Sequence, residues 1–174
     1  MVRIYPLDKD RDIRQAYFEV EYEDVFHLKE LYKRCYEWFL MWNYESVEGD
    51  SVPETLYFER VNHAGSQEHH VWWRWQKEIN SFVKYFIKFD IQTLNTSKVE
   101  IMHKGKKAKT NKSDIIFRVN GYVMLDWQES FKSNSLLKQF DRWFRRRWYR
   151  QEREAHKKQL WFEVYNLEDS IKQY

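Results

Sequence analysis

The spacing of hydrophobic residues changes period twice along the chain. Residues 16–22 alternate, with Phe18, Val20 and Tyr22 on one side and Tyr17, Glu19 and Glu21 on the other, which predicts a strand. Next, Val25, Leu28, Tyr32, Cys35, Phe39 and Trp42 recur at intervals of three and four, which predicts an amphipathic helix with Asp24 as its N-cap. That helix should end near Tyr44, ahead of the Gly, Asp, Ser and Pro cluster of residues 48–54. From there to Glu129 the period is two, and strands are expected at 56–61, 71–79, 83–94, 99–103 and 115–127. Val83, Tyr85, Ile87, Phe89 and Ile91 share one face, as do Ile115, Phe117, Val119, Gly121, Val123, Leu125 and Trp127. The connections are too short for helical crossovers, so the strands should pair antiparallel. Lys84, Lys88, Asp90, Arg118, Asn120 and Asp126 mark the opposite face as the wetter one.

The last forty residues return to helical spacing, with Ser133 or Asn134 as the cap. Leu137, Phe140, Phe144 and Trp148 form one apolar stripe, and Leu160, Val164, Leu167 and Ile171 form another. Residues 145–158 between them are polar nearly all round, so the segment either bridges solvent or is two helices. Unbroken, residues 134–173 would span roughly 60 Å, extend beyond the core and call for a partner surface, most simply a second copy of the chain. The expected fold class is α+β: one domain, residues 1–174, with an antiparallel sheet of five to six strands, an N-terminal helix and a long C-terminal helix. Its element order resembles that of helix-grip domains, a likeness of architecture that implies a cavity and no particular chemistry.

Composition sharpens this picture. The chain holds 12 Tyr, 12 Phe and 9 Trp in 174 residues but only 4 Gly and 2 Pro, so rings must supply much of the packing and any surface rings imply a contact. Cys35 is the only cysteine, which excludes an internal disulfide framework and fits a reducing, cytoplasmic setting. No signal peptide and no transmembrane helix is expected. The net charge is only +3, so where the cations sit matters more than their sum.

Two places concentrate positive charge. Residues 103–112 carry Lys104, Lys106, Lys107, Lys109 and Lys112 without one acidic residue, read as a loop that could meet a phosphate backbone or an anionic bilayer, or merely keep a hairpin soluble. Residues 142–150 interleave Arg142, Arg145, Arg146, Arg147 and Arg150 with Trp143, Phe144, Trp148 and Tyr149 on a predicted helix. Guanidinium forks suit phosphates, while Trp143 and Trp148 suit stacking. The competing expectation is that these rings are core and that Asp141, Glu152 and Glu154 neutralise the arginines. Farther back, Trp73 and Trp75 of a strand should point one way and Trp72 and Arg74 the other, making Trp72 a third stacking candidate unless a helix covers it.

Catalytic signatures are missing: there is no G-x-S-x-G, no phosphate loop, no dinucleotide fingerprint and no H-E-x-x-H. Cys35 falls on the apolar stripe of the first helix, where a thiol is inert. His63, His69 and His70 flank one turn without a cysteine or carboxylate cluster, so no metal and no cofactor is expected.

The stretches VWWRWQKE (71–78), KVEIMHKGKKAKTNKSDI (98–115) and RRRWYRQEREAHKKQLW (145–161) resemble those of a family of uncharacterised archaeal proteins of this size. The resemblance brings no activity, ligand or site residue with it and implies a prokaryotic cytoplasmic protein.

The leading expectation is a non-enzymatic protein contacting a polyanion, RNA first and anionic membrane second, through the lysine segment and the arginine segment together. One alternative is a hydrophobic-ligand carrier whose cavity is lined by Tyr85, Ile87, Phe89, Phe117, Val119 and Phe144. The other is a structural subunit that forms homo-oligomers through its long helix.

Overall fold

Alternation is longest in the middle of the chain, and there the strands are longest. The computed structural model describes residues 3–49, 53–62, 65–103, 106–133, 137, 140, 141, 143, 147 and 149–174. In chain order the elements are β1 (Asp12–Phe26), α1 (Leu28–Met41), β2 (Glu45–Ser46), β3 (Glu54–Val61), β4 (Gln67–Glu78), β5 (Val83–His103), β6 (Lys106–Leu125), a single turn α2 (Ser130–Ser133) and α3 (Arg150–Lys172). All six strands form one antiparallel sheet in the order β1, β6, β5, β4, with β2 and β3 both paired to β4 along its outer edge. An α+β architecture with one N-terminal and one C-terminal helix is therefore present, as the spacing predicted.

The odd-numbered residues of β5 and β6 make the dry face. Val83, Tyr85, Ile87, Phe89 and Ile91 lie beside Ile115, Phe117, Val119, Val123 and Leu125, all buried. α1 lays Leu31, Cys35, Trp38 and Phe39 on this face. Phe39 stacks on Trp75 at 4.6 Å and meets Phe89 edge-on at 5.5 Å, while Tyr32 meets Trp73 at 4.6 Å. A buried phenylalanine such as Phe39 contributes roughly 1.5–3 kcal/mol by leaving water, and each well-set ring pair about 0.5–1.5 kcal/mol more. Rings thus fasten α1 to β4 and β5.

α3 buries Leu160, Val164, Leu167 and Ile171, the stripe expected from their spacing, against β1 and β6. It comes close because Gly121 has no side chain. A Cβ built there would lie 2.9 Å from Cγ2 of Val164 and 3.5 Å from both Ala16 and Leu160. The described helix has 23 residues, roughly 35 Å, and its N-cap is Tyr149, whose ring packs on Phe82 at 4.9 Å. Of the expected segment 134–173, the described α3 begins at Arg150. Leu137 and Phe140 are exposed rather than members of a buried stripe, and Phe144 and Trp148 lie outside the described residues.

Other expectations shift for identifiable reasons. Asp24 is not a helix cap, because β1 stays paired to β6 as far as Phe26 opposite Asn111, and the helix starts three residues later behind His27. Residues 83–94 and 99–103 are one strand interrupted by a bulge between Leu94 and Ser97, where Asn95 takes φ 54°. The lysine segment is not a loop. Residues 106–112 are the first part of β6, and Lys104 lies outside the described residues. Trp127 leaves the dry face because Asp126, at φ 49°, reverses the alternation, and its ring joins Phe86 and Met124 on the opposite side.

Two residues read as wet are buried. Lys84 sits 3.9 Å from the centre of the Trp127 ring and donates to Gln76 at 3.1 Å. Asp126 accepts from Arg11 at 2.7 Å, and Arg11 also donates to Asp141 at 2.7 Å, a buried network binding the N-terminal segment to the chain that follows β6.

Gly121→Ala should destabilise the fold by about 1–3 kcal/mol in urea unfolding, through overpacking against Val164. The same change made in a Val164→Ala background should cost clearly less. Equal costs in both backgrounds would refute the close approach.

Candidate functional site

The helices are shorter than the strands beneath them. α1 covers Trp73, Trp75 and Phe89; farther along β4 and β5, Val71, Ile91, His69 and Thr93 are buried too, beside the first turn of α1. A cavity of about 410 Å³ lies there, bounded by Leu28, Lys29 and Tyr32 of α1, Glu54 and Tyr57 of β3, His69 and Val71 of β4, Ile91 and Thr93 of β5, and Asn111 of β6. That volume falls among those of small-molecule pockets. A second, smaller cavity of about 180 Å³ lies where β1 meets the start of α1 and the end of α3, beside Tyr22, Phe26 and Ile171.

The larger cavity has an apolar wall, with Lys29, Glu54, His69, Thr93 and Asn111 also on its border. Val71 and Ile91, a cross-strand pair, are buried in its wall. The polar groups beside them are engaged with each other. Thr93 Oγ1 lies 2.8 Å from His69 Nδ1 and also accepts the His69 backbone N–H at 3.2 Å. Tyr32 donates to Glu54 and accepts from Trp73 Nε1 at 3.2 Å; burial, reinforced by Glu54, drives the Tyr32 phenol well above its ordinary range. Tyr57 donates to Glu59 at 3.3 Å, and Glu59 lies 3.9 Å from His69 Nε2. A ligand entering here gains by burying apolar surface and finds these polar groups already paired.

The sequence-predicted site residues fall into separate places. Lys107, Lys109 and Lys112 are exposed on β6, and Lys106 begins that strand. Lys112 lies 3.7 Å from Glu23, and Glu100 stands directly across the ladder from Lys109. Carboxylates are therefore nearer than the run of lysines suggested. Arg147, Arg150 and Trp143 are exposed, while Arg142, Arg145, Arg146 and Trp148 lie outside the described residues. Lys107 pairs with Met102 and Tyr149 packs on Phe82, so the described lysines and arginines are about twenty residues of β5 apart, roughly 60 Å of strand. These described members are not brought together. Trp72 is exposed rather than packed under a helix, with Arg74 over its ring at 5.5 Å and Asp90 holding that arginine at 2.6 Å.

The residues expected to line a carrier's cavity are packed against one another instead. Tyr85, Ile87, Phe89, Phe117 and Val119 are all fully buried, with Phe89 and Phe117 rings 5.7 Å apart. The space lies farther along the same strands, beside the first turn of α1.

One buried polar cluster escaped the sequence reading. Glu163 of α3 accepts from Tyr44 at 2.7 Å, Lys77 at 3.0 Å and Gln159 at 2.9 Å. Its place inside the stripe of Leu160, Val164 and Leu167 was the available signal. With three donors converging on it, this carboxylate holds α3 to β4 and to the end of α1. Nearby, His156 Nδ1 lies 2.9 Å from the Tyr85 hydroxyl. The Cys35 thiol is pushed up to about 12 by burial, which makes it inert at neutral pH. Among the described residues no group of His, Cys, Asp and Glu is placed to hold a metal, and no helix is long and apolar enough to cross a membrane.

Burial lowers the His156 pKa below its ordinary value, opposed in part by Glu152. The unfolded chain then takes up the proton first as pH falls, so stability is full above about pH 6.5 and declines as pH drops toward the folded value. Urea unfolding of His156→Gln should show a flatter dependence than the parent protein between about pH 7 and about pH 5; parallel curves would refute the coupling.

Set beside known proteins, the chain matches no family model, no curated protein and no solved structure.

Proposed function

We propose that this chain is a non-enzymatic binding protein that holds a small apolar molecule in the cavity between α1 and the far ends of β3, β4, β5 and β6. The observation that carries the reading is a cavity of about 410 Å³ whose wall contains Val71 and Ile91 and beside which His69 meets Thr93 and Tyr32 meets Glu54 and Trp73. Burying apolar ligand surface against such a wall is favourable at roughly 25 cal/mol per Å². The topology lends support by analogy. β1 pairs with β6 and a C-terminal helix lies across the dry face, an element order that resembles helix-grip domains. This reading keeps the carrier expectation and moves its cavity from Tyr85, Ile87, Phe89, Phe117, Val119 and Phe144 to the space beside the first turn of α1.

Nothing in the cavity supplies an activated nucleophile. Thr93 is buried, and its hydroxyl already accepts a backbone amide while meeting His69. Binding without turnover is the chemistry that remains.

A polyanion reading that joins the lysine and arginine segments has less support, since the described members of the two sets lie at opposite ends of β5.

The neutral fluorophore N-phenyl-1-naphthylamine tests the carrier reading. The full chain should take it up saturably, and Leu28→Trp, which fills the space from the half-buried edge of α1, should weaken uptake about tenfold or more while leaving the melting temperature nearly unchanged. No saturable uptake, or uptake indifferent to Leu28→Trp, would overturn it.

A further inference from the structure

Beyond the cavity, β5 and β6 continue alone. β4 last pairs with β5 at Gln67 opposite Thr96, and β1 last pairs with β6 at Phe26 opposite Asn111. Residues 99–103 and 106–110 therefore pair only with each other, a two-stranded arm of roughly 15 Å continuing from the sheet. The arm starts at the cavity. Asn111 borders the space, and Lys109 and Lys107 follow it on the same side of β6, at steps of about 7 Å.

The arm's chemistry is narrow. Residues 98–112 hold six lysines, Lys98, Lys104, Lys106, Lys107, Lys109 and Lys112, against one carboxylate of their own, Glu100, and Glu23 of β1 beside Lys112. The stretch contains no arginine, no phenylalanine, no tyrosine and no tryptophan. Met102 is 67% exposed and lies opposite Lys107. Recognition of an unpaired nucleic-acid strand uses rings that stack on bases and guanidinium forks that grip phosphates, and this stretch provides neither. Lysines are point charges on flexible stems, suited to a diffuse negative surface, and an exposed apolar side chain among them can enter the headgroup layer. A nearly isolated ribbon also reaches such a surface without moving the core.

We infer that the β5–β6 arm is a docking element for an anionic lipid bilayer, and that it sets the mouth of the apolar cavity against the membrane from which the ligand is taken or to which it is given. The attachment is electrostatic and reversible. Each lysine near a negatively charged leaflet strengthens binding about fivefold, the force fades within a Debye length, and Met102 adds a shallow apolar contact. The cargo-exchange part of the inference rests on the carrier reading; the docking part rests on the arm alone.

Vesicles of phosphatidylcholine, with and without phosphatidylserine, test it by co-sedimentation of the full chain. Binding is expected only with phosphatidylserine present and should fall steeply with added salt. The double variant Lys107→Gln, Lys109→Gln should lose on the order of 30-fold in partitioning, whereas Lys158→Gln, an exposed lysine on α3, should change it little. Circular dichroism should confirm that both variants are folded. Equal binding to the two kinds of vesicle, no binding to either, or equal losses in the arm and α3 variants would overturn the inference. So would retention of a single-stranded RNA by the parent chain, lost in the double variant, without vesicle binding. Uptake of N-phenyl-1-naphthylamine in vesicle-free solution should be the same for the parent and the double variant, so a failure of docking and a failure of the carrier reading remain distinguishable.

Discussion

A mismatch of lengths governs this molecule. β5 and β6 run for 21 and 20 residues, on the order of 65–70 Å each, whereas the 14 residues of α1 give roughly 20 Å of cover. Where the helices reach, interlocking rings close the core, with Phe39 against Trp75 and Phe89 and α3 seated on Gly121. At the first turn of α1 the packing loosens, and a cavity opens beside the buried Val71 and Ile91. Farther on, the neighbouring strands stop, and only a two-stranded arm continues. Core, cavity and arm are successive stretches of one hairpin, distinguished by what covers each.

Interactions elsewhere keep that arrangement in place. Glu163 gathers donors from Tyr44, Lys77 and Gln159, which positions α3 across β4 and the end of α1. Arg11, bridging Asp126 and Asp141, fixes the N-terminal segment to the chain after β6. Removing one partner from either buried group would leave a charge with less compensation in a poorly solvated place, so both networks resist piecemeal change. They lie apart from the cavity and define what cannot move when a ligand enters.

Much of the fold was legible because one face of most strands is dry. The alternation at Val83, Tyr85, Ile87, Phe89 and Ile91, and the helical stripe at Leu160, Val164, Leu167 and Ile171, record burial directly. Only half of the arm was legible: residues 99–103 read as a strand, whereas the lysines of 106–112 read as loop. Asp24 suggested a helix cap, but pairing of β1 as far as Phe26 took precedence over local preference. Trp127 and Lys84 were misplaced for a common reason: the left-handed turn at Asp126 carries the indole to the opposite face, where it covers the ammonium group. The cavity could not be read at all, because Leu28, Val71 and Ile91 look like any core residues until the end of the covering helix is known. The polar cluster at Glu163 was readable in principle, as a lone acid on an apolar stripe.

Methyl nuclear magnetic resonance of the full chain, titrated with a neutral apolar ligand, tests most directly the claim that the space beside the first turn of α1 is a binding cavity. The account predicts that the methyl signals of Leu28, Val71 and Ile91 shift together while those of Val164 and Leu167, on the buried face of α3, stay fixed. Shifts confined to exposed residues such as Leu40 and Met41, or none at any ligand concentration, would contradict it.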